Sequence, residues 1–136
     1  GLTIHCLPVM HGSDYTCFGF AFGPKDGRTV YLSDYTKLLP QTEALLREWS
    51  GCEGGSGSRI ELLVLDALRW SGAHPVHATV EESIALAQSL KPRRCLLVGM
   101  GHGLEHNATN RRLRSVCPDV DVQLAFDGLF VPLRFA

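Results

Sequence analysis

The chain has 136 residues, of which 45% are apolar and 20% are charged, and its net charge is −1. This length and composition are typical of one globular domain with its own hydrophobic core. The small net charge and the lack of a basic block argue against a nucleic-acid platform that binds by bulk electrostatics. A small phosphorylated substrate remains compatible, because such a ligand needs only local charge or a metal.

The sequence has no run of about 18 consecutive apolar residues, so we expect no membrane-spanning helix. It begins directly in strand-like sequence, without the pattern of a signal peptide. The five cysteines are scattered, odd in number and free of any C-x-x-C motif. This usage favours reduced thiols over a disulfide framework and predicts a cytoplasmic protein.

The first half of the chain reads as three strands followed by a helix. Turn residues at 24–27 separate two strand-like stretches and predict a β-hairpin. Pro40 suits the first turn of the apolar-patterned helix that follows. The glycine- and serine-rich stretch at 50–58 predicts a flexible insertion loop. The predicted elements of this half are strands at 2–10, 17–23 and 28–33 and a helix at 40–49.

The second half alternates buried strands with helices, which favours an α/β layered fold. Thr79 and Glu82 have the spacing of a capping box at the start of a helix. Asp127-Gly128 is typical of a turn between two hairpin strands. The predicted elements of this half are strands at 60–68, 94–100, 120–128 and 129–135 and helices at 79–90 and 104–116.

Histidines and aspartates gather where the predicted strands end. Aligned strands would bring these side chains to one edge of the sheet, where α/β folds commonly build sites. Histidine and carboxylate together hold first-row metals, and a metal lowers the pKa of bound water. Taken singly, each residue also fits a plainer role as a helix cap, a turn residue or a core residue. The residues concerned are His11, Asp34, Asp66, His74, His77 and His102.

Several stretches in this order carry a family resemblance. They are VMHG, FGFAFG, VYLSDYTKLLPQT, LLVLDALR, HPVHATVEESIALAQSLKPRRCLLVGMGHGLEH and QLAFDGL. Together they resemble the C-terminal half of the metallo-β-lactamase fold, in the branch of the phosphonate-pathway phosphodiesterase and its eukaryotic relatives. The resemblance implies that residues 1–136 form half of an αββα sandwich, with one mixed β-sheet and helices packed on one face.

The resemblance also implies a metal-dependent hydrolase of the phosphodiesterase type that acts on a small phosphorylated substrate. Members of the family use zinc or manganese, with two ions in the whole domain. By resemblance, His11 is a metal ligand and Asp34 is the carboxylate that bridges the two ions. His77 matches the histidine proposed as the proton donor in this branch.

Two departures from the family pattern bear on the metal. The H-x-H-x-D-H motif of the N-terminal half does not occur in this sequence, so the chain by itself is expected to hold no metal or a partial set and to be inactive. Gly99 stands where many members carry the first histidine of T-H-x-S-H. We expect His102, at the same strand end, to replace that histidine as a ligand. Asp66 and His74 are expected to support the ligands rather than to bind the metal.

Two other functions stay open at this point. The chain also fits a non-catalytic α/β scaffold or binding module that has lost its metal, which Gly99 favours. A third option is an RNA-processing nuclease of the same superfamily, although the absence of a basic patch counts against it and makes nucleic acid an unexpected partner. A lone half of this fold would expose an apolar sheet face, so we expect a homodimer or a higher oligomer.

Overall fold

The computed structural model describes residues 1–52, 54 and 57–135, and these contain seven strands and three helices. The predicted loop at 50–58 lies partly outside the described residues. The strands are β1 (Ile4–Met10), β2 (Thr16–Phe22), β3 (Arg28–Leu32), β4 (Lys37–Leu38), β5 (Ile60–Asp66), β6 (Arg94–Val98) and β7 (Val122–Leu124). The helices are α1 (Pro40–Ser50), α2 (Val80–Leu90) and α3 (His106–Val116).

All seven strands form one mixed sheet in the order β4-β1-β2-β3-β5-β6-β7. The pairs β1–β2 and β2–β3 are antiparallel, whereas β3–β5, β5–β6 and β6–β7 are parallel. Antiparallel neighbours need only a hairpin, but parallel neighbours need a crossover, and α2 and α3 supply two of these crossovers. The α/β class with a mixed sheet is confirmed.

The main core lies between one face of the sheet and the helices. Leu46 of α1, Ile84 of α2 and Leu113 of α3 pack in one cluster with alternate residues of the strands, such as Leu63 and Leu97. Alternation places every second side chain of a strand on the same face. The buried apolar residues of all three helices pack against that one face. The prediction of helices on one face is therefore confirmed.

Helix α2 begins as predicted. The Thr79 side chain accepts a hydrogen bond from the Glu82 backbone N–H, and the Glu82 side chain accepts one from the Thr79 backbone N–H. This capping box satisfies two N–H groups that the first helical turn leaves unpaired. It also fixes where the preceding loop ends, which matters because that loop carries His77.

The predicted last strand at 129–135 and its hairpin are wrong. The segment after Asp127-Gly128 forms no strand, and instead it crosses the second face of the sheet. Its apolar residues pack on strand side chains there, while Pro132 lacks a backbone N–H for a ladder. Half-buried and exposed residues alternate along this segment, as in a strand buried on one side, but strand side chains cover it instead of a neighbouring backbone. The contacts join Leu129, Val131 and Leu133 to Leu62, Val64 and Leu96.

Part of this second face stays uncovered and apolar. Ile4, Phe18, Phe20 and Tyr31 are exposed on strands β1, β2 and β3. We call these four residues the aromatic face.

No helix among the described residues is long and apolar enough to span a membrane. All five cysteines carry free thiols, with Cys95 and Cys117 buried.

Candidate metal centre and catalytic site

Five strands run in one direction and end at the same edge of the sheet. Strand β1 is antiparallel to β2, and β2 is antiparallel to β3, so β1 and β3 point the same way. Strands β5, β6 and β7 follow β3 in parallel. We call the edge at their C-terminal ends the carboxyl edge. The polar residues that the sequence analysis selected lie in the segments that leave this edge.

Asp34 follows β3 and is exposed at the carboxyl edge. Its backbone is left-handed, with φ at 53°, a conformation that aspartate adopts more readily than most residues. The Cys17 thiol donates a hydrogen bond to the Asp34 carbonyl over 3.0 Å. The Asp34 side chain is 65% exposed, and its Oδ1 lies 3.6 Å from Nδ1 of His77. The strand therefore ends by turning a carboxylate outward, toward His77 and solvent.

Thr36 ties the turn after β1 to the turn after β3. The Thr36 backbone N–H donates to the Met10 carbonyl over 2.7 Å. Its hydroxyl in turn accepts the Gly12 backbone N–H over 3.2 Å. Since His11 lies between Met10 and Gly12, these bonds hold the His11 turn beside the segment that carries Asp34.

His11 has one ring nitrogen engaged and one left over. Its Nδ1 lies 2.7 Å from the Val76 carbonyl oxygen, and because a carbonyl only accepts, this nitrogen carries the proton. The lone pair is then on Nε2, which is the arrangement that metal-binding histidines commonly show. The His11 and His77 rings also meet edge to face with centroids 5.3 Å apart.

Asp66 is the last residue of β5 and is 1% exposed. Its Oδ2 lies 2.7 Å from Nδ1 of His77, and its carbonyl accepts the Ser83 hydroxyl of α2 over 2.6 Å. Burial raises the pKa of the Asp66 carboxyl, and the hydrogen bond and charge of His77 partly oppose that rise. The buried Asp66 carboxylate is therefore held against Nδ1 of His77.

His74 shapes the loop that presents His77. Its Nδ1 accepts the backbone N–H of Val76 over 3.3 Å and that of His77 over 3.2 Å. Such local bonds stabilise a tight turn. The His74 and His77 rings lie 5.3 Å apart. The structure thus places His74 next to His77, with Nδ1 of His74 already hydrogen bonded to the backbone.

Two glycines bring the segment after β6 close to the segment after β5. A Cβ added at Gly99 would lie 2.4 Å from Oδ1 of Asp66, and Gly99 has a left-handed φ of 71°. A Cβ added at Gly101 would lie 2.9 Å from the Leu68 carbonyl oxygen. The Asp66 carboxylate thus occupies the space in which a side chain at position 99 would start.

The structure brings together five of the six residues selected from the sequence, and leaves out His102. His102 is exposed, and no ring contact or hydrogen bond joins it to the others within the described residues. Sequence reasoning missed the Gly99–Asp66 contact and the bond from Ser83 to Asp66. Ser83 did carry a signal, since a serine lies on the buried, apolar face of α2.

Three ligand atoms of the cluster have a spacing that suits one divalent cation. One ligand atom each from Asp34, Asp66 and His77 lies within 4.8 Å of the others, so among the described residues these three could together hold a metal ion. Two carboxylates and an imidazole are donors that zinc and manganese accept. Nδ1 of His77 is already hydrogen bonded to Asp66, so Asp34 offers its carboxylate and His11 and His77 each offer Nε2.

Comparison with known proteins places the chain in a family. Residues 1–100 match the family model described as the beta-lactamase superfamily domain. No curated protein sequence matches the chain.

Solved structures share the fold over nearly the whole chain. A diphosphatase of the PhnP family is 31% identical with a TM-score of 0.75, over 95% of this chain and 42% of that protein. The metallo-beta-lactamase fold protein YhfI from Bacillus subtilis is 17% identical, with a TM-score of 0.67, 94% of this chain and 48% of its own covered. Human tRNase Z, short form (ELAC1), is 15% identical, with a TM-score of 0.67 over 97% of this chain and 43% of its own. The chain thus spans less than half the length of each of these three proteins.

Proposed function

Because the chain belongs to the beta-lactamase superfamily, we propose that the whole protein is a metal-dependent hydrolase that cleaves a small phosphate ester. The observation that carries this proposal is the convergence of Asp34, Asp66 and His77 at the carboxyl edge. The likeness to a diphosphatase supports a phosphorylated substrate.

In this proposal Asp34 and His11 bind the metal. Asp34 offers an exposed carboxylate with two oxygens, which suits a bridging position between two ions. His11 offers Nε2, because its Nδ1 is bonded to the Val76 carbonyl. Zinc and manganese are the proposed ions, and such an ion, when bound, lowers the pKa of water and polarises the phosphoryl group. His102, exposed and apart from the cluster, is a weaker ligand candidate than it was from the sequence.

His77 moves the proton in this proposal, and Asp66 positions it. The bond from Nδ1 of His77 to the buried Asp66 carboxylate fixes the ring's orientation and tautomer. That bond leaves Nε2 of His77 as the atom that carries the second ring proton and passes it to the leaving oxygen of the substrate. His74 supports His77 through the backbone of the loop, where its Nδ1 accepts two N–H groups, and its ring lies beside that of His77.

We propose that residues 1–136 are the C-terminal half of the domain and that the remaining ligands lie outside this chain. The coverage of 42% of the diphosphatase supports that division. By itself the chain offers few free donors, so we expect it to bind one ion weakly and to hydrolyse little substrate.

Calorimetry with Mn²⁺ and with Zn²⁺ tests the metal site directly in this chain. We expect weak binding of one ion and loss of that binding in Asp34→Asn, because the amide removes the charge of the ligand. Asp26→Asn is the matched control, since Asp26 is an exposed aspartate in the β2–β3 turn at the opposite edge of the sheet.

Two results would overturn the proposal. Binding that is equal in the Asp34→Asn and Asp26→Asn variants would remove Asp34 from the site. Tight binding of two ions by this chain, or robust turnover of bis-p-nitrophenyl phosphate, would show that no further ligands are needed.

A non-catalytic scaffold is the second candidate, and Gly99 favours it because it replaces a ligand expected from the resemblance. In that case the chain would fold normally and bind no metal in calorimetry.

A tRNA-processing role finds less support, since the likeness to human tRNase Z at 15% identity shows the fold alone and the net charge is −1. The proposed location is cytoplasmic, in keeping with five free thiols.

We also propose that isolated copies of this chain associate through the aromatic face. Its four exposed apolar side chains lie together on three neighbouring strands, and such patches favour association. Light scattering should give a mass above that of one chain, and Phe20→Lys should lower it. A monomer with a well-folded spectrum would refute this association. In a longer protein, the remaining half of the domain would cover the same face.

A further inference from the structure

A small cleft opens at the carboxyl edge beside the His77–Asp66 pair. Its volume is about 230 Å³, and it lies between the segments that follow β6 and β7. Gly99 forms part of its wall, and a Cβ on Gly99 would meet Oδ1 of Asp66. The cleft and the proposed catalytic pair therefore share a wall. The lining residues are Val98, Gly99, Met100, Ala125, Phe126 and Asp127.

Phe126 is exposed but held in place. Its side chain is 57% exposed, while the His106 ring packs against it edge to face, with centroids 6.0 Å apart. His106 is itself hydrogen bonded to Asn110 over 3.1 Å. The Asn110 side-chain oxygen accepts the Leu124 backbone N–H of β7 over 2.8 Å. Helix α3 thus orients a phenyl ring whose remaining surface faces solvent, which lowers the entropic cost of stacking a ligand on it.

The lining of the cleft combines apolar surface with one carboxylate. Phe126 and Met100 offer surfaces on which a flat ring can stack, since aromatic faces and thioethers both favour such contacts. Asp127 offers only acceptors when ionised, so it selects N–H donors. A volume of 230 Å³ is below the roughly 300–1,000 Å³ of pockets that hold larger ligands, so the cleft suits a single ring system.

We infer that this cleft binds the flat, nitrogen-containing ring of the group esterified to the phosphate, with Phe126 stacking on the ring and Asp127 accepting its N–H groups. The inference rests on the proposed function for the position of the phosphate, which would lie beside His77, at the metal ion that Asp34 would hold. Gly99 has a specific part here, because a side chain there would separate the ring site from Asp66. Phe126 and Asp127 determine specificity, and neither takes part in the bond cleavage.

Amide NMR titrations of this chain test the inference with three probes that share one phosphate group. Cytidine 5′-monophosphate has an exocyclic amino group with two N–H donors, uridine 5′-monophosphate has a carbonyl there and a single ring N–H donor, and ribose 5-phosphate lacks the ring. We expect cytidine monophosphate to shift the amide signals of residues 98–100 and 125–127 and to bind at least about fivefold more tightly than ribose 5-phosphate. Uridine monophosphate should fall between them.

Substitutions then separate the two specificity residues. Phe126→Leu should bring the affinity for cytidine monophosphate down to that for ribose 5-phosphate, whereas Phe126→Tyr should keep the preference. Phe130→Leu is the matched control, because Phe130 is a nearby phenylalanine that is 85% exposed and does not line the cleft. Asp127→Asn should remove the preference for cytidine over uridine monophosphate, since an amide both donates and accepts.

The outcomes distinguish this inference from the proposed function. Equal binding of all three probes, unchanged in Phe126→Leu, would overturn the ring site while leaving the phosphate site of the proposed function intact. Ring-dependent shifts at 98–100 and 125–127 that persist in Asp34→Asn would support the ring site even if the metal proposal failed. Absence of any shift at these residues with every probe would overturn the inference.

Discussion

Asp34 and Asp66 end two neighbouring parallel strands, and in the sequence they look alike. Each follows an apolar run, and the paired residues Leu32 and Leu65 place the two strand ends side by side. In the fold they differ completely. The Asp34 side chain is 65% exposed on a left-handed backbone, whereas Asp66 is 1% exposed and bonded to His77.

The difference follows from what each strand end meets. The chain after β3 turns at the sheet surface, so the Asp34 carboxylate stays in contact with water and available to a cation. Asp66, at the end of β5, is covered by the loop that carries His77 and by the glycines after β6. Its carboxylate is therefore shielded from water and needs a hydrogen-bonding partner. One strand end thus supplies a candidate ligand, and the other supplies a candidate positioning group.

Gly99→Ala should disturb the buried strand end most. The new Cβ would clash with Asp66 and would stand on a left-handed backbone, so we expect a loss of about 2–3 kcal/mol in the free energy of unfolding. Urea unfolding measures this loss. Gly103→Ala is the control, because a Cβ at Gly103 meets nothing within 4 Å. If both variants lost the same stability, Asp66 would not be confined by Gly99.

Asp66→Ala should have the next largest effect. It removes the acceptor of His77 and leaves that ring without its buried partner, which costs about 1–2 kcal/mol. Chemical denaturation measures the cost, and Asp26→Ala in the β2–β3 turn serves as the exposed control. In the whole protein, Asp66→Asn should lower kcat about 10–100-fold with a smaller change in KM. A variant with unchanged kcat would remove Asp66 as a positioning residue.

Asp34→Gly should act in the opposite direction on stability. Glycine adopts the left-handed backbone at this position without a Cβ penalty, and its greater freedom in the unfolded chain offsets part of that gain. We expect the free energy of unfolding to rise by up to about 1 kcal/mol while metal binding falls. A clear loss of stability would mean that the Asp34 side chain has a structural role.

Glu105 extends the comparison to a carboxylate that has partners but no burial, and its effect should be the smallest. The backbone N–H groups of Ala108 and Asn107 lower the pKa of Glu105 below its ordinary value of 4.5. The stabilising effect of its charge is therefore present above pH 4.5 and is lost as the pH falls through the lower pKa of the folded state. Glu105→Gln should be less stable than the parent at neutral pH. The two should converge in acid, and a gap that is independent of pH would contradict this account.

The sequence predicted most elements because their signals are local. The capping box at Thr79 needs only four residues, and the β2–β3 hairpin needs only its turn residues at 24–27 and the strands beside them. The last segment shows the limit of such signals. Its alternating apolar residues report burial on one side, but they do not reveal whether a backbone or side chains lie opposite, so a strand was predicted at 129–135 where none forms.

The candidate site was predictable in outline for a similar reason. Strand ends placed His11, Asp34 and Asp66 at one edge once the direction of the strands was known. His102 was selected by the same rule and does not join the others, because Gly99 and Gly101 pack against the β5 side and His102 is left in solvent. The selection rule locates an edge, and it does not tell which side chains turn inward.

The sequence by itself determined the α/β class, the family resemblance and the residues with the right chemistry, since each depends on the type and order of amino acids. Only the tertiary structure decided how those residues divide their roles. Asp34 and Asp66 carry the same carboxylate, and their difference comes from the neighbours that remove water from one and leave it around the other. Those neighbours, His77 and Gly99, come 11 and 33 residues after Asp66 in the chain. Burial is a property of the packed fold, and so the roles of the two carboxylates are properties of the fold as well.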